Sequence, residues 1–424
     1  SSELPRMAEN YPPGLSLSSL VQGVATATAT AVAPTPKESM LAIETRRKRL
    51  FIGLPRETSL QENRVGLTPE AVRHLTTEGH DIVLETGAGE PSKFSDHDYS
   101  EAGARVVYST PEVYEADLIL KIAPPTFAEM EHLRAGQTLI SALQFGSLTA
   151  EYVQALGARK VNALAFELMK DKSGSKPVVR AMSEIAGSTV MLVAAEYLSQ
   201  SDEGKGIIVG GITGVPPSRV VILGAGTVAE YAARAATGLG AEVKVFDDHI
   251  YKLRRLKGNV GNQLYTSTLD QSVVSEHIRQ ADVVIGAISP EQGQIPYIVP
   301  EEVVARMAPG SVIIDVAIDQ GGCFETSHLT THDRPVYRRY DVIHYCVPNI
   351  ASRVPRTATQ ALSNIFTPVF QEIARNGGIN EVLFAKEHYR AGVYLYKGSL
   401  TNAMMAKRFN MRYKELALMI AVRN

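Results

Sequence analysis

The chain has 424 residues, 45% of them hydrophobic, and a formal net charge of −2 at pH 7. That length exceeds one ordinary core and implies two domains, and the near-neutral balance gives no electrostatic case for nucleic acid or an anionic membrane as partner. Two cysteines, Cys323 and Cys346, are too few for a disulfide framework and stand in no CxxC or Cys/His spacing, so reduced thiols, a cytoplasmic protein and no metal site are expected.

Residues 1–46 differ from the rest: Pro12-Pro13, a Ser/Leu patch, then the alternation TATATAVAPTP. Such low-complexity sequence predicts a weakly structured extension. The chain opens on Ser-Ser, with Met7 a candidate natural start, and no basic segment precedes a long apolar run, which argues against a signal peptide or membrane span. The basic run Arg46 to Arg49 reads as a solvated face ahead of a strand.

From Phe51 strands and helices alternate. Apolar runs predict strands at Phe51 to Leu54, Asp81 to Glu85, Leu118 to Ile122, Thr138 to Leu143 and Val161 to Phe166, with a helix at Pro69 to Glu78. Ser183 is a good N-cap for a helix through Met191, Leu192, Ala195 and Leu198, long enough to bridge two domains. Further strands are expected at Asp282 to Ile288, Ser311 to Val316 and His344 to Val347. Leu362, Phe366, Val369, Phe370 and Ile373 then have helical spacing that ends at Gly377-Gly378, a helix returning the chain to its first domain. The fold class is therefore α/β with two doubly wound parallel-sheet domains. A discontinuous substrate domain, 47–180 and 356–424, is interrupted by a Rossmann domain, 181–355, with the active site in the cleft between them.

The most specific unit is Arg219 to Asp248, RVVILGAGTVAEYAARAATGLGAEVKVFDD, a buried strand, glycine turn, helix and second strand in order. Gly224 permits the tight turn, Gly226 lets backbone approach a pyrophosphate, and Ala229 fills the small-residue position where helix and strand pack. The pyrophosphate would sit on the helix N-terminus. Asp247, at the end of the next strand, can accept hydrogen bonds from both ribose hydroxyls, which favours NAD over NADP; Asp248 beside it is the alternative carboxylate.

Candidates for chemistry are sparser. Arg64 in ENRVGLTP offers a planar fork for a carboxylate, or is a surface ion-pair residue. Lys121 ends an apolar strand, where an amine could polarise a carbonyl or be merely solvated. Asp319 precedes Gly321-Gly322 and could order water, accept protons or cap a turn; Asp315, inside the strand, is the weaker candidate. Asn349 could bond a carboxamide or form an Asx turn.

Taken together the segments PRETSLQENRVGLTP, ADLILKIAPP, RAMSEIAGS, GKGIIVGGITGVPPSRVVILGAGTV, VIIDVAIDQGGCFETS and HYCVPNIASRVPRTAT resemble alanine dehydrogenase and its superfamily relative, the NAD-binding part of nicotinamide nucleotide transhydrogenase. The likeness covers nearly everything from Phe51 onward. It implies that Arg64 binds the substrate carboxylate, that Lys121 contacts the keto or amino centre, and that Asp319 handles water or ammonia. It also implies that Ser183, Lys252, Ser267 and Asn349 contact the cofactor. The implied reaction is reversible oxidative deamination of L-alanine: hydride passes from Cα to nicotinamide C4, the imine adds water, and ammonia leaves pyruvate. A homo-oligomer is implied too, a hexamer by likeness to the dehydrogenases and a dimer by likeness to the transhydrogenase.

One position departs from that pattern. The resemblance places a catalytic histidine after the strand of TLISALQFGS, where this chain has Gln144, which can hydrogen-bond but cannot titrate. Asp319, Lys121 or a bound water would then take the proton, and His332 and His344 are spatial substitutes. The alternative functions are the soluble NAD(H)-binding component of a transhydrogenase and a catalytically silent NAD-binding homologue.

Overall fold

The structure, a computed structural model, describes residues 47–59, 61–288 and 298–422; the expected extension over 1–46 lies outside them. Two sheets form. The first contains β1 (Phe51–Leu54), β2 (Asp81–Glu85), β3 (Arg105–Val107), β4 (Leu118–Leu120), β5 (Thr138–Ser141), β6 (Asn162–Ala165), β14 (Val393–Tyr396) and β15 (Ser399–Leu400), in the order β15-β14-β6-β5-β4-β1-β2-β3. The second contains β7 (Arg219–Leu223), β8 (Glu242–Phe246), β9 (Tyr265–Ser267), β10 (Val283–Gly286), β11 (Val312–Asp315), β12 (Val336–Arg339) and β13 (Val342–Tyr345), in the order β12-β13-β11-β10-β7-β8-β9.

Strands β1 to β6 are parallel, as are β7 to β11 and β13. In each parallel set the order reverses once, between β1 and β4 and between β7 and β10, which is the doubly wound arrangement. The apolar runs follow from burial on both faces: Val220 and Ile222 of β7 enter one core, Val221 and Leu223 the other. The sheets are mixed rather than purely parallel, because β14 pairs antiparallel with both β6 and the edge strand β15, and the edge strand β12 pairs antiparallel with β13. The strand expected at His344 to Val347 begins two residues earlier, and β12 lies outside it.

Ser183 does not start its helix. The helix is Pro177–Ser199, opened by a proline whose fixed φ suits the first turn, and Ser183 lies within it. It does bridge the two cores: Val178 packs beneath the first sheet, whereas Ala186, Val190, Met191, Val193, Ala194 and Leu198 pack beneath the second. Those internal contacts account for its apolar character, although among the described residues it is the one helix long and apolar enough to cross a bilayer. The helix Pro355–Arg375 returns to the first core through Leu362, Phe366 and Phe370. Two residues of the basic run are paired: Arg47 lies 2.7 Å from Glu78, and Arg49 meets Asp81.

Gly187 sets how closely Pro177–Ser199 approaches the helix Thr227–Gly238. A β-carbon there would meet the Val228 carbonyl at 2.4 Å and Tyr231 Cβ at 2.7 Å. Gly187→Ala should therefore destabilise the fold by about 1–3 kcal/mol through overpacking, although alanine is the better helix former by about 1 kcal/mol. An unchanged urea midpoint would mean that this crossing has slack.

Candidate functional site

The chain reversal between β1 and β4 leaves a crevice at the carboxyl ends of the first sheet, where Pro55 to Thr58 and Lys121 to Ala123 emerge. Lys121 is 1% exposed rather than solvated. Its ammonium lies 2.9 Å from Glu57 Oε2 and 3.2 Å from Glu129 Oε1. Burial alone would lower its pKa, but the two carboxylates outweigh it and the net shift is upward. Lys121 is thus held as an ammonium, which corrects the expectation that it could take the proton. Glu57 in turn accepts the backbone N–H of Ile122 at 2.6 Å, tying the β1 loop to the β4 loop. Burial raises the Glu57 carboxyl, although the Lys121 ammonium and the Ile122 N–H both act to lower it.

Arg64 is not a surface residue either. Its Nε donates to Glu62 Oε1 at 2.7 Å and its Nη2 to Glu62 Oε2 at 2.8 Å, while Nη1 lies 3.3 Å from Met182 Sδ. One edge of the guanidinium is therefore occupied, leaving the edge between the two terminal nitrogens for any further carboxylate. Burial would raise the Glu62 carboxyl, but hydrogen bonds from Arg64 overcome it and hold it low. Asn349, in left-handed backbone at φ +55, donates Nδ2 to Glu62 Oε2 at 3.0 Å.

The same loop fastens to the far side of the second sheet. Gln61 accepts the His332 N–H at 2.7 Å and donates to Asp333 at 3.0 Å, and Ser352 Oγ accepts the Asn63 N–H at 3.0 Å. Ser183 lies beside Met182 and hence close to Arg64 along the bridging helix.

At the second reversal point the glycine turn has the predicted form. Gly224 sits at φ +105, and a β-carbon would meet the Ala287 carbonyl at 2.5 Å, so only glycine fits. Gly226 caps the helix Thr227–Gly238, whose first N–H groups face outward from the turn, and Ala229 is fully buried. Asp247 Oδ2 accepts the Ala225 N–H at 2.8 Å, and Oδ1 accepts the His249 N–H at 2.8 Å. Ser267 lies alongside, its carbonyl accepting the Asp247 N–H at 3.2 Å, and Lys252 Nζ is 3.3 Å from His249 Nδ1. Asp248 instead accepts the Leu269 N–H at 3.1 Å, away from the turn. A glycine-only turn, a helix N-terminus with no side-chain cap and a carboxylate on the next strand together fit a dinucleotide.

Asp319 lies in the one-turn helix Ile318–Gln320. It is accessible to solvent, but surrounding protein desolvates the carboxyl and raises its pKa. Asp315 is a structural anchor for that turn: buried at the end of β11, it accepts the Cys323 N–H at 2.7 Å, the Ala317 N–H at 3.2 Å and the Ser327 hydroxyl at 2.6 Å.

Gln144 is exposed, at φ +50, on a loop whose Gly146 approaches the Asp319 carbonyl: a β-carbon there would lie 3.9 Å away. Glu167 Oε1 accepts the N–H groups of Leu143 and Gln144 at 2.6 and 3.2 Å. Of the spatial substitutes, His344 is excluded. It is fully buried, bonds Thr326 through Nε2 at 2.8 Å, and is pulled down to about 4 by burial. His332 lies at the Gln61 and Asn349 junction with a buried Nε2 that has no hydrogen-bond partner, and burial lowers its pKa.

Sequence reasoning missed the carboxylates Glu57, Glu62, Glu129 and Glu167. Glu62 stood two residues from Arg64 inside a quoted segment, and that spacing was the available signal. Glu57 and Glu167 act through contacts distant in sequence, 64 residues for Glu57 and Lys121 and 24 for Glu167 and Leu143.

Comparison with known proteins agrees with this architecture. Residues 53–186 match the family model "Alanine dehydrogenase/PNT, N-terminal domain" and residues 190–403 match "Alanine dehydrogenase/PNT, C-terminal domain". The chain is 38% identical over 374 residues to alanine dehydrogenase of Mycolicibacterium smegmatis, covering 88% of this chain and 100% of that one. It is 39% identical over 366 residues to alanine dehydrogenase 2 of Staphylococcus aureus, covering 86% and 98%. A solved L-alanine dehydrogenase superposes with TM-score 0.80 at 36% identity, covering 85% of this chain and 99% of that one. A transhydrogenase from Sinorhizobium meliloti shares the fold, with TM-score 0.71 at 24% identity over 83% and 99% of the two chains. The chain belongs to the alanine dehydrogenase/PNT family.

Proposed function

We propose that the chain is an NAD-dependent oxidoreductase acting on CH–NH2 donors, which interconverts L-alanine with pyruvate and ammonia. The observation that carries this reading is the pairing of two buried, carboxylate-held cations at the first sheet, Lys121 and Arg64, with a glycine-only turn and Asp247 at the second. NAD, when bound, supplies the hydride acceptor. The open edge of Arg64 binds the substrate carboxylate, and Lys121 keeps an N–H beyond those engaged by Glu57 and Glu129 for the carbonyl oxygen or imine centre. Asp319 exchanges protons with water and the departing ammonia.

On the cofactor side, Asp247 holds the ribose, Gly224, Gly226 and Ala229 shape the pyrophosphate turn, and Ser183, Lys252, Ser267 and Asn349 line the rest. The domain division is 47–180 with 356–424 for substrate and 181–355 for NAD. We also propose a homo-oligomer, hexameric rather than dimeric, working in the cytoplasm.

The direct test follows NADH formation from L-alanine, then from a panel of small amino acids, and NADH consumption with pyruvate plus ammonium. NADH is expected to form with L-alanine; NAD binding with no turnover in either direction would reject this function. Asp319 fixes a pH dependence. A carboxylate base works only when deprotonated, so L-alanine oxidation should rise with pH along a limb lying above the ordinary aspartate value of about 3.9. Asp319→Asn should abolish that limb and lower kcat by roughly 10²–10⁴-fold; a profile identical to the parent's would remove Asp319 from proton transfer. Gln144→His should raise kcat for L-alanine if the glutamine merely replaces a lost acid or base, and no gain would mean that the pocket is organised around the amide.

A further inference from the structure

The loop from Leu143 to Gly146, which carries the one departure from the family pattern, is gripped from two sides. Glu167 holds the N–H groups of Leu143 and Gln144. Arg408, on the helix Ala403–Phe409, takes the opposite polarity: Nη1 donates to the Phe145 carbonyl, and Nη2 donates to the Gly146 carbonyl at 3.3 Å. The guanidinium also lies over the Phe145 ring, 4.6 Å from its centroid, and 5.1 Å from that of Phe409. Two consecutive carbonyls and an adjacent aromatic face suit a planar fork, and a lysine point charge cannot reproduce that set.

The grip matters because of what it holds. Gln144 occupies left-handed backbone, which a non-glycine residue keeps only when its surroundings over-determine it. Ser147 closes the turn by donating its N–H to the Gln144 carbonyl at 3.0 Å. On the far side, Gly146 faces the Asp319 carbonyl, close enough that a β-carbon on it would lie 3.9 Å from that oxygen. A loop fastened in this way forms a fixed wall for the turn on which proton exchange is placed.

We propose that Arg408 is a positioning residue, through which the helix Ala403–Phe409 locks the Gln144 loop beside the Asp319 turn and so sets the rate of the reaction. This rests on the functional reading above, and the test separates the two. The sequence contains no tryptophan, so Phe145→Trp installs a single emission reporter that keeps an aromatic face for the guanidinium. In that background Arg408→Ala should increase quenching by acrylamide severalfold and lower the anisotropy. In the native background Arg408→Ala should reduce kcat for L-alanine by roughly 10–100-fold with little change in KM for NAD, and Arg408→Lys should recover only part of the loss. A reporter insensitive to Arg408→Ala, or a loop released with kcat intact, overturns the proposal. If the parent chain turns over no amino acid, the substrate assignment fails while the reporter alone still upholds or rejects the grip.

Discussion

Burying the Lys121 ammonium at the end of β4 is the constraint around which the first sheet's crevice is organised. An ammonium taken out of water needs carboxylates within hydrogen-bond reach, and removing one partner of such a buried pair typically costs about 3–5 kcal/mol. Glu57 and Glu129 meet that demand from two different segments, the loop after β1 and the short helix Phe127–Met130. Glu57 also takes the Ile122 N–H, and Glu129 closes a capping box with Thr126. One buried charge therefore fixes three chain segments at the point where strand order reverses, which is where a doubly wound sheet opens for a ligand.

A second fixed cation follows the same logic. Glu62 neutralises Arg64 along one edge and leaves the other open, and Asn349 reaches across to the same carboxylate. Burial alone would lower Lys121, yet its two carboxylates raise it, so that ammonium stays charged. Desolvation raises the Asp319 carboxyl, as it does those of Glu57, Glu167 and Asp315, and of these four Asp319 is the exposed one, which suits the proton exchange proposed for it. Asp315 makes that placement stable by gathering three donors around the turn.

The parallel strands and the glycine turn were legible because they depend on local pattern: apolar runs buried on both faces, and a backbone angle that only glycine takes freely. The antiparallel strands β12, β14 and β15 were not, since such short strands at the margin of a sheet form by pairing with a neighbour rather than from their own periodicity. Ser183 misled because its side chain has cap chemistry, while Pro177 six residues earlier had the geometry to begin the helix. Arg64, Lys121 and Asp319 were visible as residue types at strand ends. Their charge states were not, because Glu57 and Glu129 reach Lys121 only through the fold.

That distinction bears on Gln144. A histidine there would add a titrating cation to a cleft that, on the proposed reading, already holds an ammonium and a guanidinium facing the substrate. An amide brings no charge, so it need not alternate between states while those cations hold the substrate. Its requirement is steric instead: a left-handed backbone kept in place by Glu167 at its amide hydrogens and Arg408 at the following carbonyls. On that reading, glutamine in place of histidine shifts what the chemistry asks of the loop from the ionisation of a side chain to the rigidity of a turn, with Asp319 the group proposed for proton exchange.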